Sequence, residues 1–90
     1  PEHIVEAGVK ALRDGMHFYT PAKGIPELRQ AVVEETQRLR GVTIDAEQVV
    51  IVPGGKPTMF FAIAMFGEPG AEILYPNPGF PIYESLIRWS

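Results

Sequence analysis

Gly54-Gly55-Lys56-Pro57-Thr58 follows the β-branched run Gln48-Val49-Val50-Ile51-Val52 and precedes an uncharged stretch, Met59 to Phe66. Two residues without Cβ let a backbone come close to a bound group, and a helix opening there offers unpaired N–H donors at the positive end of its dipole. That is the chemistry of an anion site, and a phosphate beyond the carboxyl end of a buried strand is its natural guest. A plain strand-to-helix turn would use the same residues. Two common phosphate devices do not match. A P-loop ending at Gly55-Lys56 needs glycine at position 50 and Ser or Thr at 57, which hold Val50 and Pro57. The dinucleotide pattern G-x-G-x-x-G fails because Gly54 and Gly55 are adjacent and no third glycine follows at the helix start.

Other reactive residues are sparse. His3 and His17 lie far apart with no partner at metal-ligand spacing, so no metal site is expected. The chain has no cysteine, which removes thiolate nucleophiles and disulfides and fits a reducing, cytoplasmic compartment. Ser85 and Ser90 sit in no nucleophile-elbow context. Glu34 and Glu35 are adjacent, so on a helix they point in different directions and make no glycosidase pair.

The elements that must position the glycines follow from periodicity. Apolar residues at helical spacing predict a helix over Pro1 to Asp14, stopped by Gly15. Met16 to Lys23 reads as an extended loop, and Gly24 to Pro26 announces a second helix, which Gly41 ends. In that helix Leu28, Ala31, Val32 and Leu39 form the inner stripe, Glu34 and Arg38 are paired four apart, and the charged face reads as solvated. Gln48 to Val52 predicts a strand covered on both sides, Lys56-Pro57-Thr58 the opening of a third helix through Phe66, and Glu72 to Tyr75 a second short strand. A last helix begins near Phe80 or Pro81 after Pro76-Asn77-Pro78-Gly79. Strand, helix, strand is a βαβ unit, so the expected class is α/β, a three-layer α/β/α arrangement around a mainly parallel sheet.

Ninety residues with 46% hydrophobic and 21% charged side chains suit one small ordered domain. A net charge of -3 with both signs scattered leaves no basic stripe for nucleic acid, and no apolar run approaches a membrane span. The chain starts without Met and stops directly after the apolar-rich Ile82 to Trp89, and is expected to be a piece of something longer.

Four segments taken together, Tyr19-Thr20-Pro21-Ala22-Lys23-Gly24-Ile25-Pro26-Glu27-Leu28-Arg29, Gly54-Gly55-Lys56, Pro69-Gly70 and Pro76-Asn77-Pro78-Gly79-Phe80-Pro81-Ile82-Tyr83, closely resemble the class I/II, aspartate aminotransferase-like enzymes of fold type I. The resemblance covers nearly the whole chain in order and spacing. It implies the N-terminal part of one large cofactor-binding domain over 1–90, with leading helices and an interface loop over 1–41 and a β-α-β-α cofactor-cup segment over 48–90. The implied cofactor is pyridoxal 5'-phosphate, and the implied reaction moves an amino group between an amino acid and a 2-oxo acid.

Residue by residue, the resemblance places Gly54, Gly55 and Lys56 in the phosphate cup, in agreement with the anion-site chemistry. Phe80 matches the aromatic that lies on the pyridine ring, and Tyr19 the tyrosine that reaches the cofactor phosphate of the partner in a homodimer. Asn77-Pro78-Gly79 looks like the family's later Asn-Pro-x-Gly motif, but it precedes the stacking aromatic, so Asn77 is not assigned. The Schiff-base lysine, the aspartate at the pyridinium nitrogen and the carboxylate-binding arginine have no match, because Lys10, Lys23 and Lys56 all stand in other motif contexts. No catalytic residue is assigned, and the Schiff-base lysine is expected beyond Ser90. Two further readings keep the scaffold: a pyridoxal-phosphate lyase acting on carbon–sulfur bonds or forming aminocyclopropane carboxylate, and a non-catalytic regulatory or binding domain. Two strands without neighbours and an apolar third helix with little to cover it are expected within these residues.

Overall fold

The computed structural model describes all 90 residues, Pro1–Ser90. Helix α1 (Glu2–Arg13) carries Glu2 in its first turn and Lys10 and Arg13 in its last, the charges that each end of a helix dipole favours. Its stop is a Schellman turn. Gly15 adopts φ 79°, its N–H donates to the Leu12 carbonyl at 3.1 Å, and the Met16 N–H donates to the Ala11 carbonyl at 2.9 Å.

Helix α2 (Pro26–Arg40) begins with an extended Ile25 and proline at its first position, and ends at Gly41 in the left-handed region at φ 68°. Both ends agree with the sequence reading. Its charged face does not, because Arg29 is only 8% exposed. The expected pairing also shifts by one residue: Arg38 holds Glu35 at 2.6 and 2.7 Å, and Glu34 accepts from Gln30 instead. Three and four residues apart are equally adjacent on a helix, so spacing alone does not choose between them.

A 3-10 helix (Ala46–Gln48) packs against α2. It is fixed by a reciprocal capping box in which Asp45 accepts the Glu47 N–H at 2.8 Å and Gln48 accepts the Asp45 N–H at 2.9 Å. Val49, which follows, is the one buried apolar side chain, at 7% exposure.

Helix α3 (Gly55–Phe66) starts at the second glycine, one residue before the predicted opening, and α4 (Ile82–Trp89) starts after Pro81. The predicted strands are not formed as strands. Residues 49–52 and 71–76 join no ladder, and the element order is α1, α2, 3-10 helix, α3, α4. The expected three-layer α/β/α arrangement with a parallel sheet is therefore absent from these ninety residues. A strand is completed only by another strand's N–H and C=O groups, and no second strand here pairs with either run.

The chain divides into two compact units, Pro1–Val50 and Ile51–Ser90. In the second unit α3 and α4 lie side by side and run in the same sense. Lys56, Pro57 and Phe60 share a hollow with Ile82, Ser85 and Leu86, and the far ends meet where a Cβ on Gly67 would lie 2.6 Å from Ser90 Oγ. Helix α3 has 12 residues and is about 18 Å long, so the 67–81 segment must return over that length, which about five or six extended residues cover. Within it, Ile73 to Pro76 border a hollow with Met59, Ala62, Ile63, Tyr83 and Ile87. The path is that of a βαβα unit whose strands lack partners. Helix α3 has no buried residue, with Phe61 50%, Met65 74% and Phe66 71% exposed, as its uncharged body, Met59 to Phe66, must be without cover. No helix is long and apolar enough to cross a membrane.

Candidate functional site

The start of α3 is built by Gly54. Its φ of 104° and ψ of 175° belong to a region open to glycine, and its N–H turns back to the Val52 carbonyl at 2.8 Å, so the chain enters the helix abruptly. The Gly54 carbonyl receives the Thr58 hydroxyl at 3.2 Å. Gly55 and Lys56 occupy the first two helical positions, where backbone N–H groups have no intrahelical acceptor, and neither donates elsewhere in the backbone. Pro57 has no N–H. The helix therefore presents the Gly55 and Lys56 N–H groups as an open pair.

Two features keep that pair free for an external anion. An ideal Cβ on Gly54 or Gly55 would meet nothing within 4 Å, so the approach to the backbone is open. The first turn of α3 also carries no acidic residue, whereas α1, α2, the 3-10 helix and α4 carry Glu2, Glu27, Glu47 and Glu84. An anion supplied from outside would meet no resident carboxylate there.

Phe80 stands just before α4 and is 43% exposed. Its ring meets Tyr83 edge to face, with centroids 6.3 Å apart and planes at 71°, and it lines a hollow of about 120 Å³ with Tyr75, Pro76, Asn77, Gly79, Pro81 and Glu84. The turn before it is tight: a Cβ on Gly79 would lie 2.2 Å from the Pro76 carbonyl oxygen. Asn77, unassigned from sequence, borders the same hollow. Because α3 and α4 run in one sense with their beginnings together, the glycine pair and Phe80 belong to the same end of this unit, although Gly54 to Lys56 do not line the Phe80 hollow.

Tyr19 lies in the other unit, on the loop between α1 and α2. It borders an apolar hollow of about 250 Å³ with Ala11, Met16, Phe18, Thr20, Pro21 and Ile25, and at 101% exposure its side chain is covered by nothing in the chain. The lysines are accounted for differently. Lys10 pairs with Asp14 and Lys23 with Glu47, whereas Lys56 borders the hollow between α3 and α4.

The sequence reading missed a polar network in the first unit. Arg29 Nε donates to the Ala46 and Val49 carbonyls, each at 3.0 Å, and its guanidinium also reaches Glu47 Oε1 at 2.7 Å. Glu47 Oε2 receives Lys23 Nζ at 2.5 Å. Lys23 and Arg29 together hold the Glu47 carboxyl well below the usual carboxylate range, at about 2. The Arg38 hydrogen bond lowers Glu35 in the same direction. Asp45-x-x-Gln48, the spelling of a capping box, was the one signal in the sequence that this corner is built.

The family described as aminotransferase class I and II matches residues 1–90 of the chain. A probable aspartate/prephenate aminotransferase of Thermus aquaticus is 37% identical over 90 residues, which are 100% of this chain and 24% of that protein. An aspartate aminotransferase of Streptomyces avermitilis is 39% identical over 98% of this chain and 22% of its own length. An aspartate aminotransferase of Pyrococcus horikoshii is 41% identical over 92% of this chain and 21% of its own length. The chain thus spans about a quarter or less of these curated relatives. No solved structure matches it.

Proposed function

The chain belongs to the aminotransferase class I and II family, and from that membership we propose that the whole protein is a pyridoxal 5'-phosphate-dependent aminotransferase, moving an amino group between an amino acid and a 2-oxo acid. The observation that carries the reading is the match of the family over residues 1–90. The relatives' names favour amino transfer over a lyase or a non-catalytic domain, and aspartate as an amino donor. In this reading the ninety residues belong to one large domain of fold type I, in which later sequence supplies the neighbours that turn 48–52 and 72–75 into strands of a three-layer α/β/α sheet. A homodimer and a cytoplasmic location are parts of the same proposal.

The residues present fit the cofactor. The Gly55 and Lys56 N–H groups would hold its phosphate, with Gly54 setting their direction and the open approach admitting the phosphate oxygens. Phe80 would support the ring through a flat, uncharged face, and the uncovered Tyr19 phenol would donate to the phosphate of the partner's cofactor. When bound, the cofactor supplies an electron sink for charge that develops at the substrate α-carbon. The part played by this chain is to bind and orient. Lys10 and Lys23 are tied to carboxylates, and Lys56 contributes through its backbone, so the proton-moving lysine is proposed to lie in the rest of the protein.

The test is spectroscopic and uses the full-length protein. Loaded with pyridoxal 5'-phosphate, it should change its visible absorption on addition of L-aspartate and regain the first spectrum on addition of a 2-oxo acid. A spectrum indifferent to both, with cofactor demonstrably bound, would favour the non-catalytic reading.

A further inference from the structure

The loop that carries Tyr19 is fastened at both ends, and the two fastenings differ. At the α1 end the Schellman turn at Gly15 and Met16 sets its departure by backbone hydrogen bonds. At the α2 end the Gly24 N–H closes a turn on the Pro21 carbonyl at 2.9 Å, and Lys23 crosses to Glu47, 24 residues further along the chain. Glu47 makes a firm post. Its Oε1 is held by Arg29, whose buried guanidinium is itself fixed on the Ala46 and Val49 carbonyls, while Oε2 is left to receive Lys23. An exposed ion pair usually gains little because two long side chains must be ordered at once. Here one partner is already ordered by other bonds, so only Lys23 has to be immobilised.

We propose that Lys23 is a positioning residue: by its bond to Glu47 it pins the Tyr19 loop to the α2 and 3-10 corner and so sets where the Tyr19 phenol can reach. The inference rests on the reading of Tyr19 as a ligand of the cofactor phosphate. A phenol and a phosphate oxygen must come within a few tenths of an ångström of one separation to bond, and Tyr19 has no packing of its own to hold it there. Lys23 touches neither substrate nor cofactor. Its effect passes through the loop.

The experiment uses the full-length protein with variants Lys23→Gln, Lys23→Arg, Tyr19→Phe and the double variant Lys23→Gln/Tyr19→Phe. Two quantities are read: pyridoxal 5'-phosphate affinity by absorbance titration, and amide hydrogen exchange of residues 17–23 in the cofactor-free protein. Tyr19→Phe should weaken the cofactor about tenfold. Lys23→Gln should weaken it about two- to fivefold and speed exchange in the loop, Lys23→Arg should restore both, and Lys23→Gln should cost nothing further once Tyr19 is Phe. Unchanged loop exchange, or an equal loss of affinity in the Tyr19→Phe background, would overturn the proposal. A full loss in Tyr19→Phe with none in Lys23→Gln would overturn it alone, whereas unchanged affinity in Tyr19→Phe would remove the reading beneath it.

Discussion

The two units of this chain are held together by different means. Pro1–Val50 relies on directed polar contacts: a Schellman turn, a capping box, and a buried arginine that satisfies two carbonyls and a carboxylate. Ile51–Ser90 relies on apolar surface, with aromatic rings meeting at 5.3 to 6.3 Å and no residue fully buried. Directed contacts can be completed within a short stretch of chain. Apolar contacts scale with the area covered, and ninety residues cannot cover the uncharged body of α3 on every side. The polar corner around Arg29 is therefore locally complete, whereas large apolar side chains stay exposed in both units, Leu12 and Phe18 in the first as much as Met65 and Phe66 in the second.

The largest effect that separates the two should come from Arg29→Met. It strands the Val49 carbonyl, leaves the Ala46 carbonyl with the Val49 N–H alone, and should cost about 2–3 kcal/mol, seen as faster exchange of the Gln48 and Val49 amides in the full-length protein. An effect shared equally with α3 and α4 would break the contrast. Next is Gly54→Ala, where φ of 104° makes any Cβ strained and should cost about 1–3 kcal/mol in unfolding free energy. Gly55→Val sharpens it: with nothing within 4 Å the fold should be nearly indifferent, while cofactor affinity falls because a side chain enters the phosphate approach. Equal damage to fold and affinity would erase that distinction. Smaller still, Phe60→Leu at the α3–α4 contact should cost about 0.5–1.5 kcal/mol by chemical denaturation. A larger loss than Arg29→Met would invert the comparison.

The smallest effect is a proton. Glu47 titrates at about 2 in the folded chain against about 4.3 for an unperturbed glutamate. Its folded value is depressed, so its contribution is complete above the unfolded value and is lost as pH falls from about 4.3 towards 2. An NMR titration of the Glu47 carboxylate should show the low midpoint, and Lys23→Gln should raise it. A midpoint in the ordinary range in the unaltered protein would show the corner to be looser than its distances.

The same contrast decides what the sequence disclosed. Gly15 and Gly41 were legible as helix stops because a left-handed cap is a local requirement that one residue answers. The turn into α3 at Gly54 was legible for the same reason, though not that Gly55 already belongs to the helix. Gln48 to Val52 and Glu72 to Tyr75 read as strands because β-branched and aromatic residues suit a pleated surface, yet a strand needs a paired neighbour, and none is present here. Arg29 was illegible because a charged residue beside an apolar stripe looks solvated until the 3-10 helix returns to cover it. Phe80 and Tyr19 came from resemblance alone, since neither exposure nor stacking follows from their spacing.

The common direction of α3 and α4 has an electrostatic consequence. Two aligned helices repel at their like ends, each worth about half a charge, and in the second unit the positive ends lie together beside the glycine turn. An anion seated there would lower that repulsion for both helices at once, which would link ligand occupancy to helix packing. Such a linkage would work in both directions: whatever tightens the helix pair would strengthen the anion's hold, and filling the site would raise the melting temperature of the protein that contains it.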